Sequence, residues 1–530
     1  MIKVLLRYSD KLFIVGICLL MVGMIFSTWL TSASQFIIAI AWIIKFDWKN
    51  QFSSFIGNPV SKWLTLLFFI YLGTQFYTDN QQQGWNEIRI LVPILSMPLL
   101  FGSGFSMSSK LFHQLMFFYM LVVLAATFSC IPGFVQYYNG EIADVRTASK
   151  FVSHIRLSLH VSLAVFVAGY YLIRSKKYWY LLLYIFILIF WLFAMQSLTG
   201  LIIIFLLAFA SGVYFSLSKL QLIYSILGVV MGFIVVLSAI KWFQNEYKAF
   251  MTPIEAQIQT DLKTPDGNAY EFDFSMPLIE NGYYVYYYVN YSELAKEWAS
   301  KSKLDFEGSD HFGQPLKQTL IRYMNSKGLK KDGKSLQGLT VNEIKHIENG
   351  IANCNYHQIL GVKPRLYQFF WELEIQKYIN NSPSQGLMLK PFLWKASHEI
   401  WANNKWFGSG SGDLKQEFEN YYKAQNPNLN NELKLRSHNQ FITIAITSGI
   451  IGLFFYLLSI VKIISLNSNL RYTPIVYFFL IVLLSMFTED TLNTQAGVTF
   501  YAFFISFFSF FPSRPATTNT ISPLGVFVLK

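Results

Sequence analysis

His438 and Asn439 open the run HNQFITIAITSGIIG, in which nine residues separate the pair from Gly449 and two more lead to Gly452. An imidazole, with a reference pKa of about 6.5, is well suited to taking a proton from a hydroxyl near neutral pH. Here it stands where a long polar stretch gives way to an apolar one, and an ionisable group at a membrane boundary is costly. The bland alternative is a hydrogen-bonded residue at a helix start. Asn439 fits a helix cap or a residue that orients such a site. A second ionisable group sits in SHIRLSLHVSLAVF, where Arg156 opens another apolar block. A guanidinium fixed there can steady negative charge as it develops, or it can merely reach past the apolar face to water.

These groups must be positioned by membrane-spanning elements. Hydrophobic residues make up 53% of the chain, aromatics 18% and charged residues 14%, against about 25% charged in a soluble domain. A spanning helix needs about 20 apolar residues. Such blocks lie near 12–30, 33–46, 60–77, 87–101, 111–130, 151–173, 178–196, 199–216, 220–242, 438–461, 472–487 and 491–512, the second of them short. Backbone groups in lipid must bond within their own segment, so about 12 transmembrane α-helices are expected. The first block lacks a cleavage-site pattern and reads as a span, not as a removed signal peptide.

Charge placement orients the chain. With a cytoplasmic N-terminus, the inner segments hold fifteen Lys and Arg, among them Lys3, Lys49, Lys110, Lys176 and Lys462, against Asp10 and Asp47. Short outer loops hold Arg89, Arg146 and Lys150 against six carboxylates. Positive residues mark the cytoplasmic side, which places both termini inside. The net charge of +12 is therefore largely a topology signal and gives no reason to expect nucleic acid.

The expected organisation is an N-terminal membrane region over 1–242, a large outer domain over 243–437, a second membrane region over 438–512 and a cytoplasmic tail over 513–530. The outer domain is long enough for a core of its own. It should be mixed α/β: KTPDGNAYEFDF and ENGYYVYYYVNY read as strands, with a turn at Asp266-Gly267 and a break at Asn281-Gly282. Helices follow over SELAKEWAS (capped by Ser292), QPLKQTLIRYMNSKG, TVNEIKHIENGIAN, 364–380 and 391–403.

Other chemistry-bearing residues carry bland readings. Gly408, Gly410 and Gly412 make a loop whose amides could approach phosphate, and Asp413 reads as the cap of the next helix. The Tyr283–Tyr291 run reads as an aromatic strand before a sugar platform. His154 and His160 read as packing residues. Cys354 with His357 has a metal-like gap but no second pair, so no metal site is expected. Cys18, Cys130 and Cys354 read as free thiols.

The His438-Asn439 to Gly449 and Gly452 spacing resembles the signature of the O-antigen ligase and polymerase superfamily. WFGSGSGDLKQEFENYY (406–422) resembles that family's glycine-rich stretch, and FTEDTL (487–492) an acidic position in the last outer turn. The order of spans with one large outer loop before the His-bearing helix is similar too. The resemblance implies a GT-C-like membrane enzyme of the bacterial inner membrane, with its large loop periplasmic. Such an enzyme transfers a glycan from an undecaprenyl-pyrophosphate carrier to an acceptor hydroxyl, with His438 catalytic and no cofactor.

The acceptor would be lipid A-core, a growing glycan or a glycoprotein, giving a ligase, a chain polymerase or a protein O-oligosaccharyltransferase, with O-antigen ligation the first expectation. Arg156 is similar to the family's membrane-embedded arginine. Where many relatives carry an arginine four residues before a tryptophan, KPFLW (390–394) has Lys390, so the loop cation is Lys390 by position or Arg365 by residue type. Thr447 and Leu198 also depart from the pattern, standing where relatives carry glutamate and arginine. Asn439 completes the expected substrate-binding set. A transporter of the same lipid-linked glycans is the non-enzymatic alternative, but nine spans before the loop and three after show none of the internal symmetry of transporters.

Overall fold

The computed structural model describes residues 2–511 apart from 46, 104, 220–221, 255–261, 358–360, 379–388, 426, 428–433 and 468–472. The tail expected over 513–530 lies outside the described residues. Helices α1 (Ile2–Phe26), α2 (Thr28–Ile44), α3 (Trp48–Gly57), α4 (Pro59–Thr74), α5 (Gln81–Gly102), α6 (Ser109–Phe128) and α7 (Ile131–Tyr138) come first. They are followed by α8 (His154–Arg174), α9 (Leu181–Ala194), α10 (Leu198–Lys219) and α11 (Leu222–Met251). After the outer domain come α19 (Gln440–Leu466), α20 (Thr473–Met486) and α21 (Gln495–Phe510).

Each expected span coincides with a helix. Among the described residues six stretches, in α1, α6–α7, α8, α10, α11 and α19, are long and apolar enough to cross a bilayer, while α2 and α3 form one pair bent by 115°. Helices α4, α9, α20 and α21 are apolar but shorter. Twelve helices therefore stand where twelve spans were expected, though not all have crossing length. Many start on a side-chain cap: Ser27 accepts from the Leu30 amide, Ser108 from Leu111 and Ser153 from Arg156, each satisfying an amide with no partner inside the helix.

Burial separates the helices. On α21, Phe500, Phe503, Phe504, Phe507 and Phe508 are all buried, and Phe507 stacks on Phe112 of α6 at 4.9 Å. By contrast, none of the spanning window of α11 is buried. Helix α11 also runs on to Met251 instead of ending at 242. Phe243, Tyr247 and Phe250 keep one face apolar at helical spacing and surround Phe370 at 5.3, 5.3 and 5.6 Å. The polar residues between them lower the hydropathy, which is why the span seemed to stop early.

The segment expected to form the outer domain contains α12 (Tyr291–Lys301), α13 (Leu316–Ser326), α14 (Gly333–Gln337), α15 (Val341–Glu348), α16 (Lys363–Gln376), α17 (Leu389–Asn403) and α18 (Leu414–Gln425). Its strands are short: β1 (Glu271–Phe272) pairs antiparallel with β4 (Tyr287–Val289), and β2 (Ile279–Glu280) with β3 (Tyr283–Tyr284). Asn281 and Gly282, at φ 56° and 79°, form a two-residue hairpin turn of the kind Asn-Gly favours. Asn290, not Ser292, caps α12, its side chain accepting from the Glu293 amide, while the Ser292 hydroxyl donates to Asn290. Thr340 and Glu343 form a reciprocal capping box on α15.

A buried polar group organises this core. Arg322 donates to both Glu280 carboxylate oxygens at 2.9 Å and stacks over Trp371 at 3.8 Å. Lys331 gives its ammonium protons to Tyr284 O, Tyr287 O and Asn325 Oδ1 at 3.0, 3.1 and 2.7 Å. Both of these buried cations are thus held by named acceptors.

Candidate functional site

The glycine-rich segment builds the site by breaking a helix. Inside α19, Gly449 adopts φ 68° and ψ −175°, so the regular i to i−4 bonds lapse. Ser409 N and Gly410 N donate to the freed Ile446 and Thr447 carbonyls at 2.8 and 3.0 Å, and Ile450 N donates to Lys405 O at 2.8 Å. A Cβ on Gly449 would lie 2.0 Å from Trp406 O, and one on Gly408 2.5 Å from Ile446 O. The motif glycines thus permit backbone-to-backbone contact. The Ser411 and Gly412 amides are also taken, by Thr74 and Thr78 hydroxyls, so this loop has no amides free for a phosphate. Asp413 does not cap its own helix; it accepts from Thr78 Oγ1 and from the Asp79 and Asn80 amides, all at 2.8 Å.

Just before α19 the chain is held from three sides. Asn439 caps the helix, Oδ1 accepting from Phe441 N and Ile442 N at 3.0 and 3.2 Å, and Nδ2 donates to Phe487 O at 3.1 Å. Asn439 thereby fixes the helix start beside His438. Asp490 Oδ1 accepts from Thr443 Oγ1 at 2.8 Å and Ser437 Oγ at 3.3 Å. Trp394 Nε1 donates to Ser437 O at 3.1 Å. His438, between these anchors, sits at φ 47°, a left-handed backbone uncommon outside glycine and often found at functional sites.

His438 faces a cavity of about 280 Å³ lined by Arg146, His154, Gln196, Ser197, Arg365, Lys390 and Glu489, with Ile155, Leu198, Leu389, Leu393 and Leu435 as apolar wall. Its Nδ1 lies 3.7 Å from Glu489 Oε2, an ionic contact longer than a hydrogen bond. The Glu489 carboxylate, seconded by Asp490, holds the imidazole above its usual pKa range, while burial and Lys390 pull the other way. An Nδ1–H facing Glu489 would leave the Nε2 lone pair for another partner.

Lys390 and Arg365 both reach this cavity. Lys390 donates to Thr488 O at 3.0 Å and lies one helical turn from Trp394, which ties α17 to the His438 turn. Burial lowers its ammonium pKa, Glu489 opposing. Arg365 donates to Gln368. Arg156 does not line the cavity. Its Nη2 donates to Asp490 O at 3.2 Å and its Nη1 is buried without a partner, so it braces from behind the turn that carries Glu489.

Sequence reasoning missed three contributors. Arg146 entered only as an outer-loop charge, yet it lines the cavity, its Nε 2.8 Å from both Asp144 oxygens; the D-x-R spacing was its one local sign. Glu489 was noticed in FTEDTL but not as the partner of His438. His154 lines the cavity, whereas His160 is the packing residue expected, its ring 4.4 Å from Phe500. Helices α8, α10, α16 and α17 all bring their first turns to this space, and helix starts carry partial positive charge. Among the described residues no three His, Cys, Asp or Glu side chains group to hold a metal ion.

An imidazole therefore faces a cation-rich hollow at one end of a helical membrane bundle. No curated protein matches the chain. Residues 344–457, which carry Arg365, Lys390, the glycine-rich segment, His438 and both motif glycines, match the O-antigen ligase family model.

Proposed function

We propose that the protein transfers a glycan from an undecaprenyl-pyrophosphate carrier to an acceptor hydroxyl at the outer face of the bacterial inner membrane, as an O-antigen ligase. The observation that supports this most is the single cavity where His438 and Glu489 meet Lys390, Arg365 and Arg146. His438 Nε2 takes the acceptor proton as the hydroxyl oxygen attacks the anomeric carbon. The bond from that carbon to the phosphate oxygen breaks, and the carrier leaves as the pyrophosphate. Lys390 and Arg365 hold the growing phosphate charge, and Arg156 keeps the Glu489 turn in place. These cations supply the compensation a metal would otherwise give.

A chain polymerase or a protein O-glycosyltransferase would use the same chemistry on a different hydroxyl. The test is transfer by the purified protein from a polyprenyl-pyrophosphate-linked glycan, offered lipid A-core, free glycan and protein acceptors in parallel. Transfer to lipid A-core, lost in His438→Ala, supports ligation. Transfer to another acceptor alone would redirect the reading, and full activity of a well-folded His438→Ala would end it. The same proposal puts the large loop in the periplasm and both termini inside, so a cysteine at Gly350 should label from outside in intact spheroplasts and one at Lys176 should not.

A further inference from the structure

The turn between α9 and α10 is built unlike the other capped helix starts of the protein. Gln196 takes φ 51°, with Gln196 N donating to Phe193 O at 3.1 Å and Ser197 N to Leu192 O at 3.0 Å. That pattern closes α9 with a left-handed residue where glycine is usual. It reverses the chain so abruptly that Ser197 becomes the residue before α10. A serine there normally turns its hydroxyl onto the amides of the first turn, as Ser27, Ser108 and Ser153 do. Ser197 does not: its side chain is 2% exposed and its Oγ has no partner. Among the described residues no hydrogen bond engages the amides of Leu198 or Thr199 either. A buried hydroxyl left unsatisfied is costly, the first-turn amides of a helix have no partner within it, and Ser197, Leu198 and Thr199 line the cavity beside Arg365, Lys390 and Arg146.

We infer that the start of α10 is a phosphate-binding subsite, in which Ser197 Oγ and the first-turn amides take phosphate oxygens of a pyrophosphate group. This rests on the proposed lipid-linked donor and adds neutral donors to its cations. Hydrogen bonds of this kind suit the charge of an anion at a helix N-terminus and are insensitive to the protonation of side chains.

Binding of inorganic pyrophosphate to the purified full-length protein, measured by calorimetry beside a thermal melt, tests it. Ser197→Asp places a carboxylate that caps α10 and fills the same amides. Affinity should fall about 10- to 100-fold, the scale of one or two charged hydrogen bonds, while the melting temperature holds or rises. Ser197→Asn, an uncharged cap, should weaken binding less with the fold kept, and serves if the aspartate variant does not fold. Unchanged affinity in a folded Ser197→Asp or Ser197→Asn overturns the subsite. If the unsubstituted protein binds pyrophosphate and these variants do too, this inference fails while the donor reading stands. No binding by the unsubstituted protein would sink both.

Discussion

Buried charge is handled in opposite ways in the outer-domain core and around the His438 cavity. In the core, Arg322 has two bonds to Glu280 and an aromatic face, and Lys331 has three acceptors. Around the cavity, Lys390 is bonded to a backbone carbonyl and Arg365 to the Gln368 side chain, while Arg156, behind the Glu489 turn, keeps a buried nitrogen with no partner. A saturated pair fixes a fold and has nothing left to offer. An under-bonded cation beside a cavity pays in stability for readiness to meet an anion.

That contrast breaks most visibly through His438 and Arg322. His438→Ala should lower transfer by about 100- to 10,000-fold, as loss of a general base does, with membrane abundance and melting unchanged. Arg322→Ala should do the reverse: leaving Glu280 buried and unpaired costs about 3–5 kcal/mol, read as loss of the outer-domain transition in a melt or as rapid proteolysis. An Arg322→Ala protein that melts normally would erase the distinction.

A smaller effect sharpens the role of the cavity cations. Lys390→Ala should cut transfer by about 100-fold, the scale of one lost transition-state donor, whereas Lys390→Arg should retain activity because it offers the same charge with a better phosphate fork. If Arg365→Ala is the damaged variant and Lys390→Ala is mild, the two residues exchange roles.

Smaller still is a displacement in pH. The imidazole is a base only when neutral, so transfer should rise with pH through a midpoint above the ordinary histidine range, because Glu489 raises the His438 pKa. Glu489→Gln removes that influence, and the rising limb should move to lower pH. Lys390 acts in the opposite sense, so residual activity of Lys390→Ala should rise at higher pH than in the unsubstituted protein. Limbs that stay fixed in both variants would detach His438 from the rate. The smallest expected effect is none: excess chelator should leave transfer unchanged, and a loss restored by magnesium would overturn cation-only charge compensation.

Much of this was legible in the sequence where the signal was local. Apolar blocks located the helices because lipid leaves the backbone few alternatives. The helix over TVNEIKHIENGIAN was legible from its local pattern, and Lys390 and Trp394, four residues apart, share a helix face. The motif glycines marked a place needing unusual backbone, though their use as a splice with residues 405–410 could not be read, since Lys405 and Ile450 meet only in the fold. Long-range pairings stayed hidden for the same reason: Asp413 looks like an ordinary helix cap until the 78–80 turn is seen to occupy it. Ser197 was passed over because its oddity is a missing bond, and a sequence records residues, not whether they are satisfied.

The splice at Gly449 also constrains how the protein can be made. Until residues 405–410 arrive, the Ile446 and Thr447 carbonyls and the Ile450 amide have no partners, and such groups are poorly tolerated in hydrocarbon. Helix α19 therefore cannot settle into its kinked form as it leaves the insertion machinery. It must wait for residues 405–410 to fold back against it, so docking of that loop is an obligatory step in assembling the last membrane helices, and a chain stalled before it should present α19 straight, with His438 displaced from its partners.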